Sequence, residues 1–458
     1  MSGVKEKYSN MTAGNPMKLL FLFALPLMLG NVFQQLYTVV DTAIVGRGVG
    51  MEALAALGTV DWLNWMVIGI AQGFTQGFSV RISQKYGEGD LKGMKSVIGQ
   101  SAFLSMIIAV LSLVIMQTCL PLFFMILRVP VDLAPIAELY TRVLMAGLPA
   151  VVFYNFCSAV LRAVGDSKTP LIAMVIAAVT NIILDIVTVF YLNWGIAGAA
   201  VATVFAQCLS GFICFIKIYK SPQLKFSKDD IKPIKEISLD LFKIGSPIAA
   251  KNVIISVGGM AVQSIVNGFE VSFIAGFTAT NKLYGILEIA AISYGYAVTT
   301  YVGQNYGAEE YKRIKSGMKA AVLLSLITSA LISLLMIIFG RNITMLFISS
   351  EDMNLVISAG ETAYNYLLVM SAFLPVLYLL YAYISALQGV GNTVWPMKSG
   401  IVEFIMRVGI SIFVGFIGIA EGIFFAEVSA WFGAAVYLII GYYKYVTPMY
   451  KMKGAKNA

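Results

Sequence analysis

Histidine is absent from all 458 residues. That removes the commonest general base, metal ligand and pH switch, so any proton chemistry must run through carboxylates. Charge is scarce as well. Asp, Glu, Lys and Arg make up 12% of the chain and hydrophobic residues 59%, with a mean hydropathy of +0.82, whereas a soluble chain carries about 25% charge. The chain therefore belongs in a bilayer. The four cysteines (Cys119, Cys157, Cys208, Cys214) fall inside apolar runs without metal-ligand spacing and read as small buried hydrophobes. No phosphate-binding loop, Walker motif or sizeable soluble domain is present, which excludes ATP as the energy source. The formal charge of +8 would suggest nucleic acid in a soluble protein. Here its position along the chain matters more than its sum, and no nucleic-acid partner is expected.

Apolar runs occupy about 17–45, 53–80, 96–118, 137–162, 169–191 and 196–219, and then 240–267, 272–302, 318–340, 361–388, 396–418 and 420–443. Each is long enough to cross a bilayer as a helix. The first is too long for a signal peptide and lacks a small-residue cleavage site, so it stands as a first span. The pattern predicts an all-α membrane protein of twelve helices in two six-helix lobes. The N-lobe would be residues 1–219, the linker 220–239, and the C-lobe with its tail 240–458. Alternate threading puts Lys5, Lys7, Lys18, Arg81, Lys85, Lys92, Lys95, Arg162, Lys168, the lysines of 217–243, Lys312, Arg313, Lys315, Lys319, Lys398, Lys444, Lys451, Lys453 and Lys456 on one side. The opposite loops hold only Arg47, Arg128 and Arg341. The positive-inside rule then makes both termini cytoplasmic.

The halves repeat each other. QKYGEGDLKGMKS (84–96) is matched by QNYGAEEYKRIKS (304–316), and LRAVGDSKTP (161–170) by LQGVGNTVWP (387–396). Pro26 and Asn31 are matched by Pro247 and Asn252. Six spans per half give both halves one orientation, as in transporters with parallel repeats.

Polar residues inside the spans carry the functional signal. Asp41 lies deep in the first run, behind Asn31, Gln34, Gln35 and Tyr37. A carboxylate there costs roughly 2.5–3.5 kcal/mol on insertion scales and reads as functional by default. Asn181 and Asp185 share one face of the fifth span at i, i+4, with Asn155 on the fourth and Thr203 on the sixth. Two carboxylates among carbonyl and hydroxyl oxygens suit reversible protonation or Na⁺, with Asp41 and Asp185 as metal ligands in the second case. The repeat maps Asp41 to Val262, Asn181 to Arg407 and Asp185 to Ser411, so the cation site is expected in the N-half alone. In the C-half, Glu403 and Arg407 at i, i+4 read as a structural ion pair. Lys251 either pairs with Glu288 or Glu403 or faces a cavity and favours anionic or zwitterionic cargo. Tyr37, Tyr284 and Tyr378 are the candidate aromatics of an adaptable substrate cavity.

At ALPLMLGNVFQQLYTVVDTAIVGR (24–47), LRAVGDSKTP (161–170), TNIILDIV (180–187), GIAGAAVAT (195–203) and VGQNYGA (302–308), the chain resembles the multidrug and toxic compound extrusion (MATE) transporters. Its resemblance is to their bacterial DinF-like branch and covers nearly the whole chain. It implies a multi-pass protein of the bacterial cytoplasmic membrane, acting as a monomer. Such a protein exports varied, often cationic compounds against H⁺ or Na⁺, with no other cofactor. The family's cation and substrate residues carry over to Gln34, Asp41, Asn155, Asn181, Asp185 and Thr203. Another branch uses a helix 7 glutamate and a helix 10 aspartate, which align here with Ile255 and Leu377. Two alternatives remain at this level. One is a flippase or exporter for a lipid or lipid-linked sugar, hinted at by Lys251 and Arg407. The other is an intramembrane two-aspartate enzyme.

Overall fold

A backbone in hydrocarbon must satisfy its own hydrogen bonds, and a helix does so within one segment. The computed structural model describes residues 10–127, 129–348 and 352–452, and it is almost wholly helical. Lys5, Lys7, Arg128, Lys453 and Lys456, which entered the charge count, lie outside the described residues.

The helices are α1 (Pro16–Gly48), α2 (Met51–Glu88), α3 (Leu91–Leu127), α4 (Ala134–Ala146), α5 (Leu148–Ala163), α6 (Lys168–Asp185) and α7 (Gly195–Tyr219). After the short α8 (Lys228–Ile231) come α9 (Lys235–Val266), α10 (Val271–Leu287), α11 (Ile289–Gly307), α12 (Tyr311–Met345) and α13 (Met353–Gly389). The series closes with α14 (Val394–Ile417), α15 (Phe424–Tyr445) and the terminal α16 (Thr447–Met452). Among the described residues, nine helices are long and apolar enough to span a membrane, and the α4–α5 pair makes ten. The two remaining expected spans are α2, which carries Glu52, Asp61, Arg81 and Lys85, and the broken pair α10–α11. The fold is that of a twelve-helix membrane protein.

Two spans are broken where the sequence pattern reads as continuous. Helices α4 and α5 meet at 44°. Gly147 stands at this corner, where an added Cβ would lie 2.2 Å from Val204 of α7, and Pro149 follows without an N–H to give. Helices α10 and α11 part at Glu288. There the Tyr378 hydroxyl of α13 donates to the carbonyl of Leu287 at 2.8 Å.

The chain forms two compact units, Leu25–Ala249 and Met11–Ala24 with the chain from Ala250 onward. The divisions fall inside α1 and α9, beside Pro26 and Pro247. In the first unit, Phe78, Ile82, Met94, Ile98, Cys157, Val160, Leu161 and Cys214 belong to one core cluster. Gln100 holds the segment before α9 by donating to the carbonyls of Asp230 and Lys232 and accepting from Ile234 N–H and the Ser238 hydroxyl. Arg81 makes a two-pronged pair with Asp240 and donates to Gln84. In the loop between α2 and α3, the Gly93 N–H, with Lys85 beside it, holds the Asp90 carboxyl below its usual range.

The second unit anchors the start of the chain by the same kind of device. Gln304 accepts from Met11 N–H, while Asn305 and Arg313 donate to the Met11 carbonyl. Its core carries a stack of Phe273, Phe424, Tyr366 and Phe277 with centroids 4.9–5.6 Å apart. Exposed apolar side chains cover the outer faces, for example on α12 (Leu331, Leu334, Leu335, Ile338, Phe339), as lipid contact requires.

Candidate functional site

Helix α6 ends its regular α-turns at Asp185, and Ile186–Tyr191 continue as a π-helix. Such widened turns expose backbone and recur at functional sites. Gly198 of α7 lets this segment approach, since a Cβ there would meet Thr188 at 2.8 Å. Asp185 is thereby fully buried, with a solvent exposure of 0%.

The carboxyl groups of Asp185 and Asp41 lie within hydrogen-bond reach of each other. Neither oxygen of Asp185, nor Oδ1 of Asp41, has a hydrogen-bond partner. Two acceptors facing one another without a donor need a proton or a cation between them. The surroundings repeat the theme. Asn181 lies one turn before Asp185, donates weakly to the Thr203 hydroxyl at 3.5 Å, and leaves its own Oδ1 buried and unpartnered. Gln207 of α7 likewise buries an unpartnered Oε1. The Tyr37 ring carries its hydroxyl to Gln34 and Gln207, within electrostatic range of both aspartates, and Tyr140 faces the same pair.

The residues fit both ions that the sequence suggests. A proton needs only the two carboxylates. Na⁺ would add the neutral oxygens of Asn181, Thr203 and Gln207, because among the described residues no third acid, cysteine or histidine converges here.

The structure thus gathers Asp41, Asp185, Asn181, Thr203, Gln34 and Tyr37. Asn155 turns its amide nitrogen to the Val151 carbonyl of its own helix. Tyr284 and Tyr378 belong to the other compact unit. Tyr284 stacks on Trp431 with centroids 5.6 Å apart. Tyr378 is not a cavity aromatic but a buried packing residue that caps the α10 terminus. The expected Glu403–Arg407 pair is corrected too. Arg407 gives Nη2 to Glu427 of α15 at 2.7 Å, and Trp431 Nε1 donates to the same oxygen at 3.1 Å. Helix α15 packs across α14, so Glu427 approaches the guanidinium from a facing helix while Glu403 stays on its own. Sequence reasoning missed Gln207, Tyr140 and Glu427. The last had a signal, since Glu427 and Trp431 stand at i, i+4 inside an apolar run.

Comparison with known proteins agrees with this architecture. The model of the MatE family matches the chain twice, over residues 26–187 and 247–413. One relative is the "Probable multidrug resistance protein YpnP" of Bacillus subtilis (strain 168). It is 29% identical over 374 residues, which are 82% of this chain and 83% of that one. A second, the "Probable multidrug resistance protein YoeA" of the same organism, is 26% identical and aligned over 93% of each chain. Among solved structures, "MATE in complex with MaL6" superposes with a TM-score of 0.90 at 24% identity, covering 97% of this chain and 99% of that one.

Proposed function

The chain belongs to the MatE family, and on that footing we propose that it is a secondary antiporter of the bacterial cytoplasmic membrane. It exports varied, often cationic organic compounds in exchange for H⁺ or Na⁺, as a monomer with both termini in the cytoplasm. The relatives described as multidrug resistance proteins support the cargo class. The observation that carries the ion coupling is the pair of donor-less carboxylates, Asp41 and Asp185.

Linkage gives the mechanism: an ion moves a transporter only by favouring one conformation over another. With both groups ionised, the pair sets two negative charges against each other without a donor. Binding H⁺ or Na⁺ removes that repulsion and stabilises whichever conformation holds the acids together. Asp41 rides on α1, and Pro26 of that helix has no N–H, leaving a carbonyl one turn back unpaired and a place to bend. Ion binding bends α1, reshapes the cavity around Gln34, Tyr37 and Gln207, and expels cargo. The reading of a basic site for phosphate head groups loses one of its two residues, because Arg407 is held by Glu427.

Expression in an efflux-deficient bacterium tests the function, with dye uptake into inverted vesicles driven by pH or Na⁺ jumps. Lower drug susceptibility and ion-driven dye movement are expected. An unchanged susceptibility together with no ion-driven dye movement would contradict the proposal. For topology, a cysteine placed at Lys232 should resist an impermeant thiol reagent in intact cells, and labelling from outside would reverse the threading.

A further inference from the structure

The second compact unit gathers five ionisable side chains, with Lys251, Glu403 and Arg407 buried and Glu288 and Glu427 half-buried. Lys251 comes from α9, Glu288 from the α10–α11 break, Glu403 and Arg407 from α14, and Glu427 from α15. The stem of Lys251 crosses α14 at Gly400, where a Cβ would lie 2.8 Å from its Cγ. That places its ammonium within electrostatic range of Glu403, Glu288 and Arg407.

Charge counting decides what the cluster holds. Arg407 and Glu427 neutralise each other in a 2.7 Å pair, reinforced by Trp431. Lys251 is then one positive charge for two carboxylates, Glu288 and Glu403. A net negative charge inside a membrane bundle is expensive, so one monovalent cation is required. The ammonium already present disfavours a metal ion, which would also need a shell of oxygens, whereas a proton needs a single orphan acceptor. Glu288 Oε2 accepts from the Tyr381 hydroxyl at 3.2 Å, a donor that suits an ionised carboxylate. Glu403 has only 4% exposure, and its Oε1 is buried without any donor. The groups within electrostatic range of it are Lys251 of α9, Tyr381 of α13, Arg407 of its own helix and Glu427 of α15, while Glu288 faces Lys251 and Tyr381, and Tyr284 faces Glu288, Glu427, Tyr381 and Arg407.

We infer that the C-half holds an exchangeable proton of its own on Glu403, balanced by Lys251 and Glu288 and separate from the Asp41–Asp185 pair. Release of this proton leaves a second carboxylate opposite Lys251. That lysine stands one turn beyond Pro247, where α9 passes from one compact unit to the other. The C-half thereby carries its own pH response beside the proline of its crossing helix.

Infrared difference spectra of the full-length protein in lipid nanodiscs, taken between acid and alkaline pH in Na⁺-free buffer, test this. The carboxyl C=O band should contain a component that survives the Asp41→Asn/Asp185→Asn double variant. Glu403→Gln should remove it and Glu403→Asp should restore it. Tryptophan fluorescence, with Trp431 beside the cluster, should lose a pH-dependent step in Glu403→Gln while thermal unfolding stays cooperative. Three results would overturn the assignment: persistence of the band in Glu403→Gln, its loss in Glu288→Gln instead, or its replacement by added Na⁺ at constant pH. Should Glu403→Gln fail to fold, Lys251→Met, which takes away the counter-charge and so tightens the hold of Glu403 on its proton, gives the second test: loss of the same component would oppose the proposal, and its retention with a midpoint shifted to higher pH would support it.

Discussion

The two halves share one plan and differ in how they treat buried charge. In the first, Asp41, Asp185, Asn181 and Gln207 bury oxygens for which the protein supplies no donor. In the second, the repeat-related positions are quiet. Val262 stands for Asp41, and Ser411 for Asp185, its hydroxyl spent on the Arg407 carbonyl of its own helix. Arg407 stands for Asn181 and is tied to Glu427. One half buries acceptors that have no donor, and the other carries most of its counter-charges built in. A duplicated scaffold can therefore keep its anchoring devices while its polar centres diverge. Gln84 steadies the Arg81–Asp240 pair that fixes the start of α9, and its repeat partner Gln304 accepts from Met11 ahead of α1.

The largest effect that would sharpen this contrast comes from Asp41→Asn or Asp185→Asn. Each should abolish ion-driven efflux, with expression and unfolding temperature kept, because each deletes an unpartnered charge and no packing group. Wild-type efflux rates from either variant would break the contrast.

The opposite behaviour is expected of the C-half pair. Glu427→Gln strands a buried guanidinium and should cost about 3–5 kcal/mol of stability, as removal of one partner of a buried ion pair does. Adding Arg407→Met should recover much of that loss. Thermal unfolding in detergent reads both, and equal damage from the single and the double variant would mean that the pair is not a neutralised unit.

Smaller effects follow at the anchors and the helix break. Arg313→Ala removes donors to the Met11 and Gly14 carbonyls and should cost about 1–3 kcal/mol. Faster proteolysis ahead of α1 would register it, and unchanged protection would contradict the anchor. Tyr378→Phe deletes one hydroxyl-to-carbonyl bond, worth about 0.5–1.5 kcal/mol. It should leave drug affinity unaltered in a binding titration, and a weakened affinity would return Tyr378 to the cargo site.

Much of this was legible in the sequence because the bilayer imposes simple rules. Span lengths gave the helices, the paired motifs gave the repeat, and carboxylates in apolar runs marked Asp41 and Asp185. The breaks at Gly147 and Glu288 were hidden because hydropathy runs straight through both. The partner of Arg407 was hidden because i, i+4 spacing records neighbours on one helix and is silent about a facing one. Tyr378 misled for a similar reason: an aromatic in a span looks the same whether it lines a cavity or caps a neighbouring helix. The passage of α1 and α9 between compact units could not be read at all, since it depends on what each half-helix packs against. Only the prolines at 26 and 247 hinted at it.

The most direct test measures ion movement driven by cargo. Proteoliposomes containing the wild-type chain are given a gradient of an exported dye, and H⁺ and Na⁺ fluxes are recorded in parallel with dye exchange. The account predicts a counterflux of one of these ions in the wild type, and in Asp185→Asn dye exchange that continues with no accompanying ion flux. An ion flux of wild-type size from Asp185→Asn would place the coupling site elsewhere.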